Sequence, residues 1–189
     1  MEHFYQNIQG WCSFYDVYKD AVAYYPDGSH FVEIGTWRGQ SAAFMAVEIV
    51  NSGKKIQFDC VDTWKGGPEH REGGINFDPA VLDDTLYNEF VANMKPVEGY
   101  YTAVRMDSAG AASLYEDASL DFVFIDGGHE YETVLADIQA WLPKVKSGGF
   151  IGGDDYGHAL GSEGVQRAVH EVFGVQNIIR NNLGWGIVI

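Results

Sequence analysis

Three carboxylates and a histidine follow two stretches that have the composition of buried strands. Phe122–Ile125 is a continuous run of β-favouring residues, and Asp126-Gly127-Gly128-His129 comes directly after it. A second such run, Phe150–Gly152, leads into Asp154-Asp155. Carboxylate oxygens suit Mg²⁺, and a divalent cation that also binds a hydroxyl group would lower the pKa of that hydroxyl. These residues could therefore activate a hydroxyl, with His129 taking its proton; the alternative is that the acids cap the helix near Ser162 or face solvent.

A glycine turn forms the second candidate site, in the stretch Phe31–Phe44, FVEIGTWRGQSAAF. Its pattern predicts a buried strand ending at Ile34, a tight turn between Gly35 and Gly39, and a helix from Ala42 to Val50. Glycines let the backbone bend sharply and let a ligand come close, and a helix N-terminus offers free N–H donors. The alternative is that the glycines only allow the strand and the helix to pack closely.

The spacing of this turn argues against two common nucleotide motifs. A phosphate-binding P-loop needs G-x-x-x-x-G-K-[ST], whereas three residues separate Gly35 from Gly39 and no lysine follows. A dinucleotide fingerprint needs G-x-G-x-x-G, and here Glu33 occupies the position two residues before Gly35, where its carboxylate would face a pyrophosphate. The turn therefore disfavours an anionic ligand.

A further acid follows the next predicted strand. Lys55–Val61 has the pattern of a strand, and Asp62 comes at its carboxyl end. In nucleoside-binding α/β folds, a carboxylate at this place accepts hydrogen bonds from both ribose hydroxyls. Asp62 is therefore predicted to bind a ribose, with a helix cap or a solvated turn as the alternative.

Two stretches together carry a family resemblance. The motif E-x-G-x-x-x-G-x-S at 33–41 and the segment DFVFIDGGHEYETVLADIQAWLPKVKSGGFIGGDDY at 121–156 resemble class I S-adenosylmethionine-dependent methyltransferases. Within that class they are most similar to the small metal-dependent enzymes, the catechol-type and sugar O-methyltransferases. The likeness spans roughly residues 31–173.

The resemblance implies S-adenosylmethionine as cofactor and Mg²⁺ or Mn²⁺ held by Asp126, Asp154 and Asp155. Catechol-type enzymes place a lysine three residues after the first of these acids, and some sugar methyltransferases place an acid two residues after it. This chain has His129 and Gly128 there, so His129 and Asp126 are the expected catalytic residues. The residues that the resemblance assigns to the cofactor are Glu33, Gly35, Thr36, Gly39, Ser41, Asp62, Thr63, Trp64, Asp107, Ser108 and Asp126.

The remaining pattern alternates strands with helices. It predicts a long loop at 63–80, a helix at 81–94, a strand at 100–105, a short helix capped by Asp107-Ser108, a helix at 162–173 and two short β runs at 175–180 and 185–189. This alternation indicates an α/β protein. The resemblance implies a doubly wound, Rossmann-like methyltransferase fold: a mainly parallel seven-stranded sheet of order 3-2-1-4-5-7-6, with an antiparallel last strand.

Length and composition set limits on the possible functions. The 189 residues suit a single methyltransferase domain, 1–189, in which the aromatic segment 1–28 forms one or two helices that pack on the sheet or serve as a lid or a homodimer contact. The net charge of −15 argues against nucleic-acid substrates. With no signal-like or membrane-spanning stretch, a cytoplasmic protein is expected. Cys12 and Cys60 are isolated and are expected to be buried thiols.

Three classes of function remain open on the sequence. The first is a metal-assisted O-methyltransferase acting on a hydroxyl of a small molecule or sugar. The second is a metal-independent O- or N-methyltransferase, and the third is a non-catalytic nucleoside-binding domain. An NAD-dependent oxidoreductase ranks behind them because Glu33 disrupts its fingerprint.

Overall fold

Seven strands form one sheet in the computed structural model, which describes residues 1–67, 70–74, 76–157, 162–181 and 184–189. The strands are β1 (His30–Ile34), β2 (Gln57–Asp62), β3 (Thr102–Arg105), β4 (Leu120–Ile125), β5 (Val145–Gly153), β6 (Ile179–Asn181) and β7 (Gly184–Val188). Their order across the sheet is β3-β2-β1-β4-β5-β7-β6. The first five of these run parallel, whereas β7 is antiparallel to both β5 and β6. The predicted fold class and strand order are confirmed.

Helices connect the parallel strands, as a parallel sheet requires. They are α1 (Tyr15–Tyr24), α2 (Gln40–Ser52), α3 (Pro79–Leu82), α4 (Leu86–Met94), α5 (Ser108–Ala112), α6 (Tyr131–Trp141) and α7 (Ser162–Phe173). Among the described residues, no helix combines the length and the apolar composition that are needed to cross a bilayer.

The sheet is buried on both faces because successive side chains of a strand point to opposite sides. On one face, aromatic residues such as Phe31 and Phe122 pack against α1, α2 and α4. On the other, aliphatic residues such as Val32 and Val123 pack against α5, α6 and α7. This sandwich holds the carboxyl ends of β1, β2, β4 and β5 in fixed positions at one edge.

Two predicted elements differ from the structure. The helix expected at 81–94 is divided into α3 and α4, because Asp84 has a left-handed backbone (φ 52°) that an α-helix cannot continue. The β run expected at 175–180 begins instead as a 3₁₀ turn, Val175–Asn177, since the Asn177 side chain donates a hydrogen bond of 3.1 Å to the Phe173 carbonyl. The connection predicted between the last two strands falls partly on residues 182 and 183, outside the described residues.

The N-terminal segment contains a 3₁₀ turn, Tyr5–Asn7, and α1, joined by a non-helical stretch. Ile8 and Tyr18 are buried, whereas Trp11 is 61% exposed, so the aromatic stripe does not lie on one continuous helix. Cys60 is buried as predicted, but Cys12 is only partly buried. Both thiols are free.

Candidate active site

A cavity of about 630 Å³ opens at the carboxyl edge of the sheet. Its walls come from the ends of β1, β2 and β4, from residues 106–109 after β3, and from the first half of α6. A second cavity, of about 430 Å³, lies on one face of the sheet and is walled mainly by aromatic and aliphatic side chains. The edge cavity is the candidate active site, because the polar groups that follow the strands converge there and its size suits a small ligand.

The acids that line this cavity give it a strongly negative character. Carboxylates are contributed by Asp62, Asp107, Asp126, Glu130, Glu132 and Asp137. No lysine or arginine belongs to the part of the lining that the structure describes. Such a cavity favours a cationic ligand and repels a pyrophosphate.

The two glycines of the turn have close neighbours in the folded structure. Both have left-handed backbones, with φ of 86° at Gly35 and 89° at Gly39. A Cβ on Gly35 would lie 2.0 Å from the backbone oxygen of Asp126, and one on Gly39 would lie 3.0 Å from the Phe90 ring. Gly35 lines the cavity, but a side chain there would overlap the backbone that follows β4. At Gly39, a side chain would crowd residues of α4. These contacts account for both glycines by packing, the alternative that the sequence left open, and their role toward a ligand stays a prediction.

Glu33 lies beneath the turn and is fully buried on the apolar face that α2 covers. The Ser41 hydroxyl donates a hydrogen bond to its Oε1 and thereby ties the first turn of α2 to β1. Burial raises the pKa of Glu33 to about 8, and the bond from Ser41 partly offsets this effect. The hydroxyl of the buried Tyr18 also lowers the pKa of Glu33.

Not all of the predicted cofactor residues reach the cavity. Gly35, Asp62, Thr63, Asp107, Ser108 and Asp126 line it. The others lie behind this lining: Glu33, Thr36, Gly39, Ser41 and Trp64. Trp64 is completely buried, and its indole N–H donates a hydrogen bond of 2.8 Å to the Trp37 carbonyl. These five residues shape the turn around the site.

Asp62 holds two backbone turns together at the end of β2. Its carboxylate accepts hydrogen bonds from the backbone N–H groups of Trp37 at 2.9 Å and Trp64 at 2.8 Å. Burial nevertheless raises its pKa, because these bonds compensate only part of the lost hydration. A carboxylate has about four acceptor positions, so the oxygens that cap the turns can also accept bonds from ribose hydroxyls.

Asp126, His129 and Asp155 form a cluster at the ends of β4 and β5. One ligand atom from each lies within 4.8 Å of the other two, and His129 Nε2 is 2.8 Å from Asp155 Oδ2. Burial raises the pKa of Asp126 well above its ordinary value, and the carboxylates of Asp154 and Asp155 raise it further. This cluster could hold a metal ion, or it could orient His129 as a base.

Asp154 is oriented differently from the other acids. Its two carboxylate oxygens lie 3.2 and 3.3 Å from the Ser13 hydroxyl, which donates to them from the segment before α1. The predicted metal set of Asp126, Asp154 and Asp155 therefore differs in one member from the cluster that the structure brings together. Nothing in the sequence near Ser13 indicated this contact, because it joins residues 141 positions apart.

The long loop at 63–80 also contributes to the site. His70 lines the cavity, and its ring centroid is 4.2 Å from that of Trp37. Farther along, Arg38 donates hydrogen bonds to Asp78 and, at 2.7 Å, to Glu89, which fixes the end of the loop between α2 and α4. His70 carries no motif in the sequence, and only its place on a loop at the carboxyl edge of the sheet pointed to the cavity.

A doubly wound sheet of this order, with a nucleoside-sized cavity at the tips of β1, β2 and β4, defines the class I S-adenosylmethionine-dependent methyltransferase fold. Residues 32–156 match the family described as Methyltransferase domain. The chain belongs to this family. The class that the sequence predicted is thereby confirmed.

Individual relatives agree with this assignment at the level of the fold. The O-methyltransferase NovP superimposes with a TM-score of 0.63 at 17% identity, covering 92% of this chain and 78% of NovP. A SAM-dependent O-methyltransferase from Thermotoga maritima has a TM-score of 0.59 at 10% identity, covering 91% of this chain and 52% of that one. Protein y4gI of Sinorhizobium fredii is 27% identical over 114 residues, which are 60% of this chain but only 12% of y4gI.

Proposed function

We propose that this protein transfers a methyl group from S-adenosylmethionine to a hydroxyl group of a small molecule or sugar, assisted by a divalent cation. The observation that carries the proposal is the acidic cavity lined by Asp62 and Asp126, in which Asp126 also belongs to the adjoining cluster with His129 and Asp155. A ribose, whose hydroxyls donate hydrogen bonds, and a positively charged sulfonium ion both suit carboxylates at these positions. The pyrophosphate of NAD does not.

The cluster suits a cation. Several carboxylates around a partly buried position destabilise one another unless positive charge is close. Burial raises the pKa of Asp126, and the carboxylates of Asp154 and Asp155 raise it further. Two carboxylates and an imidazole are ligands that Mn²⁺ accepts, and Mg²⁺ would use the carboxylates with water or substrate oxygens. Asp126, His129 and Asp155 would therefore hold the ion, with Asp154 beside them.

The chain's own residues would mainly position the reactants. Methyl transfer to oxygen is an in-line displacement, so the hydroxyl must be aimed at the methyl carbon and must lose its proton. A divalent cation would lower the pKa of that hydroxyl. Asp126 is well placed to orient the groups at the transfer point, because its backbone is fixed to β1 by a 2.7 Å hydrogen bond to the Ile34 carbonyl.

A metal-independent methyltransferase is the second candidate, and one contact favours it. When Asp155 accepts the Nε2–H of His129, the other ring nitrogen, Nδ1, is left as a proton acceptor. His129 is 44% exposed and could then meet an acceptor hydroxyl directly. The two candidates differ in their need for a metal ion.

Chelation separates the two candidates. S-adenosylhomocysteine release would be followed with a panel of catechols and sugars, in excess EDTA and after restoring Mg²⁺ or Mn²⁺. We expect turnover to stop with chelator and to return with either ion. Turnover that EDTA leaves unchanged would establish the second candidate.

The identity of the third metal ligand can be tested by Mn²⁺ binding. We expect His129→Ala to weaken Mn²⁺ affinity by about 10-fold or more, because it removes a ligand, and Asp154→Ala to weaken it less. Calorimetric titration of the two variants beside the wild-type protein gives the comparison. The opposite order would restore the set that the sequence predicted, Asp126, Asp154 and Asp155.

Cofactor binding should depend on Asp62. We expect Asp62→Ala to weaken S-adenosylhomocysteine binding by about 1–3 kcal/mol through loss of charge-assisted bonds to the ribose. Glu72→Ala, at an exposed acid of the neighbouring loop, is the control and should bind normally. Because Asp62 also caps two turns, thermal unfolding should be recorded for each variant. Unchanged affinity in Asp62→Ala would exclude this residue from ribose binding.

A further inference from the structure

An aspartate lies at the inner wall of the edge cavity, on the face of α6 where an apolar residue would be expected. Asp137 is only 5% exposed, and its neighbours on the helix, Val134, Ile138 and Trp141, belong to the apolar core. Yet Asp137 also lines the cavity. A buried acid in such surroundings lowers stability, so its presence calls for a functional explanation.

Neighbouring residues hold this carboxyl group in place. The indole N–H of Trp141 donates a 2.9 Å hydrogen bond to the Ser108 oxygen, which leaves the Ser108 hydroxyl proton free to point toward Asp137. Asp137 Oδ2 lies 3.8 Å from where a Cβ on Gly127 would be. Burial raises the pKa of Asp137 to about 6, and the bond from Ser108 partly offsets the rise. The carboxyl is thus fixed beside the loop that follows β4.

The position of Asp137 can be related to a bound nucleoside. If the ribose of the cofactor binds at Asp62 and its sulfonium end lies at Asp126, the base must occupy the remaining part of the cavity, between residues 106–109 and α6. Met106, Ala109, Thr133 and Ala136 provide walls suited to a flat ring. Asp107 is less suited to read the base edge, because it is exposed and its Oδ1 already accepts the Gly110 N–H at 2.8 Å.

We propose that Asp137 selects adenine, by accepting a hydrogen bond from the 6-amino group of the purine while Ser108 holds the carboxyl in position. This inference rests on the proposed use of S-adenosylmethionine. It assigns base selection to a residue of α6, in addition to Asp107 and Ser108, which the resemblance assigns to the cofactor.

The test compares two ligands in each protein. S-adenosylhomocysteine and its analogue without the purine 6-amino group would be titrated by calorimetry into the wild-type protein, Asp137→Ala and Asp137→Asn. We expect the wild-type protein to bind the analogue at least 10-fold more weakly, and Asp137→Ala to bind the two ligands equally. Gln139→Ala, at an exposed position of the same helix, should keep the wild-type ratio.

The outcomes separate this inference from the proposed function. Equal binding of both ligands by the wild-type protein would overturn the role of Asp137 alone, even if the variants do not fold. A ratio in Asp137→Ala that remains at the wild-type value would show that the residue is only structural, whereas Asp137→Asn, whose amide oxygen can still accept the bond, should keep a preference for the 6-amino ligand. Failure of the wild-type protein to bind either ligand would overturn the proposed cofactor, and this inference with it.

Discussion

Replacing Asp126 by asparagine is expected to reduce methyl transfer by about 1000-fold while the protein remains folded. The side chain keeps its shape but loses the charge that would hold the metal and face the cofactor's positive groups. Asp126 directly follows β4 and lines both the edge cavity and the smaller pocket that contains His129 and Asp155. Cofactor affinity should fall as well, because Asp126 also lines the edge cavity in which the cofactor is proposed to bind.

With chelator present, so that no metal ion is bound, the same variant should be more stable than the wild-type protein at neutral pH. The pKa of Asp126 is raised on folding, so the folded state holds this proton more tightly than the unfolded state. Wild-type stability therefore falls as the pH rises from the ordinary value of 3.8 toward the raised one. Asparagine removes this dependence.

Turnover and urea unfolding at pH 4.5 and pH 8 would test both parts of the expectation. Asp117→Asn, at an exposed acid before β4, is the control and should change neither quantity markedly. An Asp126→Asn variant that retains near-normal turnover would contradict the assignment of the reaction to this cluster.

Replacing Gly35 by alanine is expected to destabilise the fold by more than about 4 kcal/mol. The added Cβ would lie 2.0 Å from the Asp126 backbone oxygen and 2.4 Å from its carbonyl carbon. Because these are backbone atoms of the adjacent strand, no rotamer change can relieve the overlap. β1 and β4 would have to separate, and the strand tips that carry the site would move with them.

Gly53→Ala provides a matched control. Gly53 has a similar left-handed backbone, with φ of 69°, but a Cβ there meets nothing within 4 Å. Its cost should be limited to the backbone term of about 1–2 kcal/mol. Chemical denaturation of the two variants therefore isolates the effect of the overlap. Equal stabilities would show that the contact between β1 and β4 can relax.

The Ser13–Asp154 contact connects the N-terminal segment to the end of β5, beside the candidate site. Ser13 comes just before α1, which packs on α2, so the segment crosses the carboxyl edge of the sheet near the fifth strand. The roles of the segment as a lid or a homodimer contact remain predictions. The contact shows that an acceptor approaching Asp154 would meet residues from this segment.

The sequence by itself determined the framework of this protein. The buried runs before Asp126 and Asp154 and the glycine turn at Gly35 are local patterns, and each lies where it was predicted. Burial on both faces requires apolar strands, and a parallel sheet brings their carboxyl ends to one edge. With the family resemblance, these patterns were sufficient to give the strand order and to propose a candidate site at that edge.

Only the tertiary structure decided what surrounds each of these residues. Gly35 is needed because another strand passes 91 positions later in the chain, and Glu33 is directed into the core beside α2. Ser13 reaches Asp154, and Asp137 faces a cavity from within an apolar helix face. Local propensity reports the burial of a side chain but not its neighbours, because the neighbours come from distant parts of the chain.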